Sequence, residues 1–272
     1  MSKILKLKPF HSDKIWGYEK WNLSTHRNGH SAITGSDTSL IDHVGEELPI
    51  IKKIIQANDT LSVQVHPDDE FSRKYENDNG KTECWYILEA EEDSTLVCGI
   101  KDGHTKESLA EVIEKGEIEK HLEKISVKPG DMIYIPAGTV HAIEGGLKLI
   151  EVQQSSDVTY RMYDWGRDRE VHVEKSLEVI DYEGKNKSGK IENFTKLQTP
   201  YFTVEKIDVN DIYKDAVDEE EFHSYTVING SGRVESDNEI VELNKDETIY
   251  IPNGVKYKIN GELELLKSYV ER

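Results

Sequence analysis

Residues 127–151, VKPGDMIYIPAGTVHAIEGGLKLIE, align without a gap on residues 243–267, LNKDETIYIPNGVKYKINGELELLK. Nine of the 25 aligned positions are identical, among them Ile133/Ile249, Tyr134/Tyr250, Ile135/Ile251, Pro136/Pro252 and Gly138/Gly254. A weaker match at a second offset sets ECWYILEA (83–90) on HSYTVING (223–230). Strand–turn–strand hairpins share turn residues by chance, so it is the ungapped run of identities that favours duplication: one supersecondary unit present twice. Leu61–His66, Trp85–Leu88, Met132–Ile135 and Thr226–Ile228 are short and largely apolar, β-branched or aromatic. Turn residues bound them, as in Pro129-Gly130-Asp131 and Asn229-Gly230-Ser231-Gly232, so they read as strands. The chain is therefore expected to be mainly β, with two β-barrels of one kind. The polar stretch 183–190, EGKNKSGK, reads as the linker, which puts the domains at 1–190 and 191–272. Leu109, Val112, Ile113, Ile118 and Leu122 roughly follow a 3.6 period, which predicts a helical insertion over 105–124 that Gly116 splits in two. A second short helix is expected over 173–180.

Composition narrows the class of function. There are 34 Lys and Arg against 53 Asp and Glu, a net charge of −19. So acidic a chain has no broad basic surface with which to displace counterions, which argues against nucleic acid or an anionic membrane as partner. No apolar stretch approaches the roughly 18–20 residues of a membrane span, and Met1-Ser2-Lys3-Ile4 opens no signal core. Cys84 and Cys98 form no disulfide framework and no metal-binding spacing. A soluble, cytoplasmic protein is expected.

The two copies differ where chemistry would reside. His141 faces Tyr257 and Glu151 faces Lys267, so the second copy keeps the scaffold residues and drops these polar ones. Strand side chains alternate, so Gln64 and His66 share a face, as do Lys81, Glu83 and Trp85 if Lys81 belongs to the strand. Gln, His, Glu and a later His pointing into one barrel make a mixed nitrogen and oxygen site. Such a set suits Zn²⁺, and two histidines with one carboxylate also admit non-haem iron. Spacing alone does not decide it, because Gln-x-His is common and a lone histidine on a strand is more often not a ligand.

The surrounding words do. LSVQVHPDDE (61–70), KTECWYILE (81–89), IPAGTVHAI (135–143) and IEVQQSSDVTYRMYDWGR (150–167), in that order, resemble type I mannose-6-phosphate isomerase in its shorter bacterial and archaeal form. The resemblance extends to IWG (15–17), EKWNLSTHRNG (19–29) and PIIKKI (49–54). It implies two cupin (jelly-roll) barrels, a metal-binding one over 1–190 and a degenerate one over 191–272. It implies one zinc per chain on Gln64, His66, Glu83 and His141. The family's active-site arginine falls on Arg161 and an acidic active-site residue on Glu151. Lys53, Ser62 and Lys81 match positions associated with the substrate phosphate or the reacting carbons, and Trp16 and His172 match residues near the pocket. The segment between Trp21 and Leu61 is compressed, and Ile143 stands where longer relatives carry an aromatic residue.

The implied reaction interconverts mannose 6-phosphate and fructose 6-phosphate by moving a proton between C2 and C1 through an enediol(ate). That requires an acid/base group, an oxyanion stabiliser and cations for the phosphate. Glu151 is the first candidate for proton transfer and Arg161 for charge stabilisation, while Lys81 fits either the phosphate or the chemistry. Plainer roles exist: Glu151 could be a surface strand residue, Arg161 could bridge Asp164 or Asp157, Lys53 in its doublet with Lys52 could be solvated, Ser62 could hydrogen-bond backbone, and Cys84 should pack on the opposite strand face. A cupin dioxygenase would leave the phosphate-type residues without a role, and a sugar-phosphate sensor would tolerate loss of a ligand or of Arg161. The expected partner is a small sugar phosphate, with the chain a monomer or a homodimer.

Overall fold

The computed structural model describes residues 4–237 and 239–271. It separates into two compact units. Asp13–Glu19 and Ile55–Glu192 make the unit central in sequence; the described residues up to Ser12, Lys20–Ile54 and those from Asn193 onward make the terminal unit. The second break falls close to the expected position, but residues 4–12 and 20–54 group with the C-terminal half instead of with the first domain. The reason is long-range pairing: Leu5–Lys8 runs antiparallel to Thr248–Pro252, with Leu5 opposite Tyr250 and Leu7 opposite Thr248, and carries Ala32–Ile33 on its other edge.

In the central unit, Gly189–Ile191, Met132–Ile135, Glu83–Ala90 and Leu147–Gln154 are consecutive neighbours in one sheet. The other sheet runs Tyr160–Tyr163, Val63–Val65, His141–Ile143, Thr95–Ile100 and Leu122–Ser126. Alternation divides the side chains between two apolar clusters. Trp85, Ile87, Leu96, Ile133, Ile143 and Leu149 pack together with Trp16 and Leu61. Val63, Val65, Val97, Val140, Ala142 and Met162 take the opposite parity and are covered by Leu109, Ile118, Leu177 and Ile180 from the helices. Odd positions of the Val63–Val65 strand thus face helices, which leaves Gln64 for the other face.

The helical insertion is shorter than its period suggests. Lys106–Glu114 is an α-helix with a Thr105–Ser108 capping box. Gly116, at φ +69°, ends that turn, Ile118–His121 is a 3₁₀ turn, and Leu122 already begins a strand. The expected second helix is present as Val173–Val179. The last two residues of the polar stretch, Gly189 and Lys190, belong to the strand Gly189–Ile191, which pairs with Met132–Ile135, so part of the expected linker is an edge strand.

The terminal unit contains an eight-stranded antiparallel sheet whose apolar cluster includes Val209, Tyr225, Val227, Ile249, Ile251, Tyr257, Ile259, Leu263 and Leu265. Its pairing establishes the duplication at the level of register. Ile133 lies opposite Trp85 and Ile249 opposite Tyr225; Glu151 lies opposite Trp85 and Lys267 opposite Tyr225; Gln153 lies opposite Glu83 and Tyr269 opposite His223. Both sequence offsets therefore describe equivalent strands.

Leu109 is fully buried where the Lys106–Glu114 helix meets the outer face of the five-stranded sheet. Leu109→Ala should cost about 2–5 kcal/mol and lower the urea midpoint of the central unit. A midpoint equal to wild type would show that this helix does not contribute to the core.

Candidate metal centre and active site

His66, Glu83 and His141 are buried together, with one ligand-type atom from each lying within 4.8 Å of the others. Their convergence follows from pairing: His141 stands opposite Gln64, and Gln153 opposite Glu83. Two glycines let the connecting chain approach closely. Gly138, at φ +87°, donates its amide to His66 O at 2.9 Å, which ties the turn before His141 to the His66 segment. A Cβ on Gly80 would sit 2.4 Å from Asp69 N. Its bareness lets the chain pass there and present Lys81 N to Pro67 O at 3.0 Å.

Hydrogen bonds to carbonyls fix the imidazole tautomers. His66 Nδ1 meets Val158 O at 2.8 Å and His141 Nδ1 meets Thr139 O at 2.8 Å. A carbonyl can only accept, so each Nδ1 carries the hydrogen and each Nε2 keeps its lone pair. Those Nε2 atoms lie 3.7 and 3.4 Å from Glu83 Oε1. Ligands about 2.0–2.1 Å from a tetrahedral ion stand about 3.4 Å apart, so the set fits a metal bound by nitrogen and oxygen. Complete burial pushes the His141 imidazole down to about 3, against the pull of the Thr139 carbonyl, and keeps it neutral as a ligand must be. Gln64 reaches the same place, its amide 3.2 Å from His141 Nε2.

Three further residues expected in the site are arranged around this set. Lys81 Nζ lies 2.8 Å from Glu83 Oε2 and 3.1 Å from His66 Nε2, a buried ammonium against a buried carboxylate. Glu151 is 3% exposed and accepts the Trp85 indole N–H through Oε2 at 3.1 Å; Trp85 packs edge-on to His141, ring centroids 5.4 Å apart. Arg161 lies opposite Gln64 in the ladder and donates through Nη1 to Glu170 O at 2.6 Å. Its Nε is buried with no hydrogen-bond partner among the described residues. Burial and the nearby Arg169 and Arg167 lower its proton affinity. The bridge to Asp164 is taken by Arg169, through two contacts at 2.6 and 2.7 Å, and by Arg167.

The other candidates are more dispersed. His172 accepts Arg161 N on its Nδ1 at 3.3 Å and so braces the arginine from behind. Trp16 is buried in the apolar cluster of the central unit, and Ser62 is buried just before the Val63–Val65 strand. Lys53 lies in the terminal unit, 3% exposed, with Nζ 4.6 Å from the Trp21 ring. Neither lysine of the doublet is solvated, since Lys52 is fully buried and donates to Ser224 O and Leu266 O, each at 3.1 Å. Cys84 is buried, as its strand position requires. Sequence reasoning missed Trp85 as the partner of Glu151, although adjacency in the ladder follows from their strands. It also missed the turn after Met162, where Trp165, at φ +53°, donates to Leu61 O and Arg167 to Thr60 O, pinning the chain that leads to Gln64.

The equivalent positions of the terminal unit hold a different polar cluster. His223 replaces Glu83, Tyr257 replaces His141 and Lys267 replaces Glu151. Lys267 Nζ lies 2.8 Å from Asp215 Oδ2, which also accepts from Tyr213 at 2.9 Å and Tyr257 at 3.2 Å. His223 Nδ1 meets Tyr257 Oη at 2.7 Å, and its Nε2 lies 3.4 Å from Glu220 Oε2. Burial opposes the charge on Asp215, yet Lys267 and the hydroxyls outweigh it and hold the carboxyl down to about 2. Among the described residues the only three-member metal-type cluster is the one in the central unit.

A family model described as phosphomannose isomerase type I, catalytic domain, matches residues 20–102, and one described as mannose-6-phosphate isomerase, cupin domain, matches residues 190–270. The chain is 32% identical to mannose-6-phosphate isomerase ManA of Bacillus subtilis over 98% of both proteins. It is 34% identical to mannose-6-phosphate isomerase of Streptococcus mutans, covering 92% of this chain and 88% of the relative. The crystal structure of the mannose 6-phosphate isomerase from Bacillus subtilis superposes with a TM-score of 0.90 at 28% identity, covering 99% of this chain and all of that one. The apo form from Salmonella typhimurium shares the fold across the full length of both chains, TM-score 0.78 at 14% identity. Among the described residues no helix is long and apolar enough to cross a membrane.

Burial holds the His223 imidazole down to about 4, below its ordinary value near 6.5. The unfolded chain therefore binds a proton more readily, so stability present above about pH 6.5 is lost as pH falls towards 4. Between pH 7 and 5 the loss should be on the order of 2 kcal/mol. His223→Gln should flatten the pH dependence of the denaturation midpoint; an unchanged slope would mean that folding does not alter the proton affinity of His223.

Proposed function

The chain belongs to the type I mannose-6-phosphate isomerases, and from that membership we infer that its reaction is the interconversion of mannose 6-phosphate and fructose 6-phosphate. The observation that carries the reading to particular residues is the convergence of two imidazole lone pairs and the Glu83 carboxylate in a buried cluster that also holds Lys81. Gln64, His66, Glu83 and His141 would hold the metal, and zinc is the ion that this nitrogen and oxygen set suits best. When bound, the ion supplies Lewis acidity towards the sugar oxygens.

The remaining work falls to the chain's own groups. Aldose–ketose isomerisation removes the proton on C2 of the open-chain aldose and returns one to C1, while a hydroxyl proton passes between O2 and O1. Glu151 is the base that takes the carbon-bound proton and gives it back, with Trp85 orienting its carboxylate. Arg161 stabilises the enediolate oxygen, and its unpaired Nε supports that role. Lys81 is engaged with Glu83 and His66, which favours a part in the charge balance of the centre over one on the phosphate. Ser62 and Lys53 are assigned to the phosphate on family resemblance alone. His172 positions Arg161, and Trp16 supports the barrel wall. The phosphorylated sugar is a metabolite of the cytoplasm, where we place the enzyme, as a monomer or homodimer.

One metal ion per chain should survive dialysis. Chelation should abolish turnover, and His141→Ala should lose both ion and activity while retaining most of the fold. Metal analysis with a coupled assay for fructose 6-phosphate checks this; full turnover in metal-free protein would overturn it.

Glu151→Gln keeps the shape of the side chain and should lower kcat by roughly two decades or more with metal content unchanged. Arg161→Lys keeps the charge but loses the planar fork, and should lower kcat more than it raises KM. A metal-loaded variant that turns over at the wild-type rate would remove that residue from the mechanism.

A further inference from the structure

The helical insertion brings together two histidines that the isomerase chemistry does not use. Thr105 caps the Lys106–Glu114 helix, and the left-handed Gly116 turns the chain back into the Ile118–His121 turn. That reversal places His104, just before the cap, against His121. His104 Nε2 and His121 Nδ1 stand 2.9 Å apart, with the ring planes at 77°.

The surrounding hydrogen bonds leave a lone pair on His104 Nε2. The Ser108 hydroxyl hydrogen is used on Thr105 O at 3.1 Å, so Ser108 Oγ meets His104 Nδ1 as an acceptor at 3.2 Å. His104 thus carries its hydrogen on Nδ1. A neutral imidazole holds one hydrogen on either nitrogen. Moving that of His121 to its Nε2 leaves a lone pair on each of the two neighbouring nitrogens without changing the number of bound protons.

The separation then selects the ion. Two nitrogens about 2.0–2.1 Å from a metal lie about 2.9 Å apart when the ligand angle is 90°, and about 3.4 Å apart when it is tetrahedral. The observed 2.9 Å matches the right angle. Imidazole ligands at right angles are the preference of Cu²⁺ and Ni²⁺ rather than of zinc. A cleft of about 260 Å³ adjoins His104 and is lined in part by Asp102, Glu123 and Asp181, whose carboxylates favour a cation there, and by Lys101. Lys101 Nζ is directed to Lys120 O at 2.7 Å. Burial and the neighbouring imidazole lower the proton affinity of His104, so protons compete weakly for its lone pair at neutral pH.

We propose that His104 and His121 form a second site, separate from the isomerase centre, that binds Cu²⁺ or Ni²⁺ as a cis pair of imidazole ligands completed by water.

The test is isothermal titration of Ni²⁺ into the enzyme as purified and dialysed, with metal content measured before and after. Wild type should take up one equivalent of Ni²⁺ without releasing the ion it already holds. His104→Ala and His121→Ala should each weaken that uptake by at least about tenfold, the loss that removal of even an outer-shell partner of a metal ligand brings. Both variants should keep the wild-type kcat, which shows that they are folded. His43→Ala, which alters an exposed histidine of the other unit, should bind as wild type does. Absence of the extra equivalent would overturn the site and leave a hydrogen-bonded histidine pair. An equivalent that survives both substitutions, or one gained only by displacing the resident ion, would overturn it equally.

Discussion

Glu83 has no solvent exposure, and a buried carboxylate must be answered from within the protein. Much of the central unit's geometry can be derived from that requirement. Lys81, two residues earlier on the same face, returns its ammonium to the carboxylate at 2.8 Å. His66 and His141 turn their Nε2 edges to it because their Nδ1 hydrogens are committed to Val158 O and Thr139 O. Those carbonyls belong to the loops that deliver Arg161 and His141, so the same hydrogen bonds that select the tautomers also set the loop positions. The surrounding strands supply the rigid, apolar wall that keeps water from doing this work.

What could be read from the sequence follows from how local each determinant is. The two offsets of the repeat survive as equivalent ladder positions because an ungapped match preserves both parity and register. Gln64 and His66 could be placed on one face because alternation on a strand is a property of adjacent residues; Glu83 and His141 joined them through the contiguous motifs that carry the family resemblance. The pairing of Leu5–Lys8 with Thr248–Pro252 was not legible, since nothing in four residues names a partner more than 240 positions away. The end of the helical insertion was misjudged for a different reason. Leu122 fits a helical period and a strand equally well, and the pairing of its strand with Thr95–Ile100 decided the matter. Lys53, beside Lys52, was open to being read as solvated because charge is usually exposed; both are buried, and the carbonyls that receive Lys52 come from strands far along the chain.

The two barrels show that one backbone plan supports opposite solutions to a polar interior. In the central unit, carboxylates on facing strands, Glu83 and Glu151, give a site that attracts cations. In the terminal unit, Lys267 occupies the position of Glu151 and supplies a positive charge covalently, with Asp215 as its counter-ion and tyrosine hydroxyls filling the remaining hydrogen bonds. An ammonium attached to the chain needs no metal to reach its partner. The two copies thus differ by a reversal of charge at one pair of equivalent positions and a change of residue type at two others. The apolar positions around them, Ile133/Ile249, Ile135/Ile251 and Leu149/Leu265, could stay the same because they answer only to packing. Chemistry diverged at the few polar positions, where hydrogen-bond partners and charge matter more than volume.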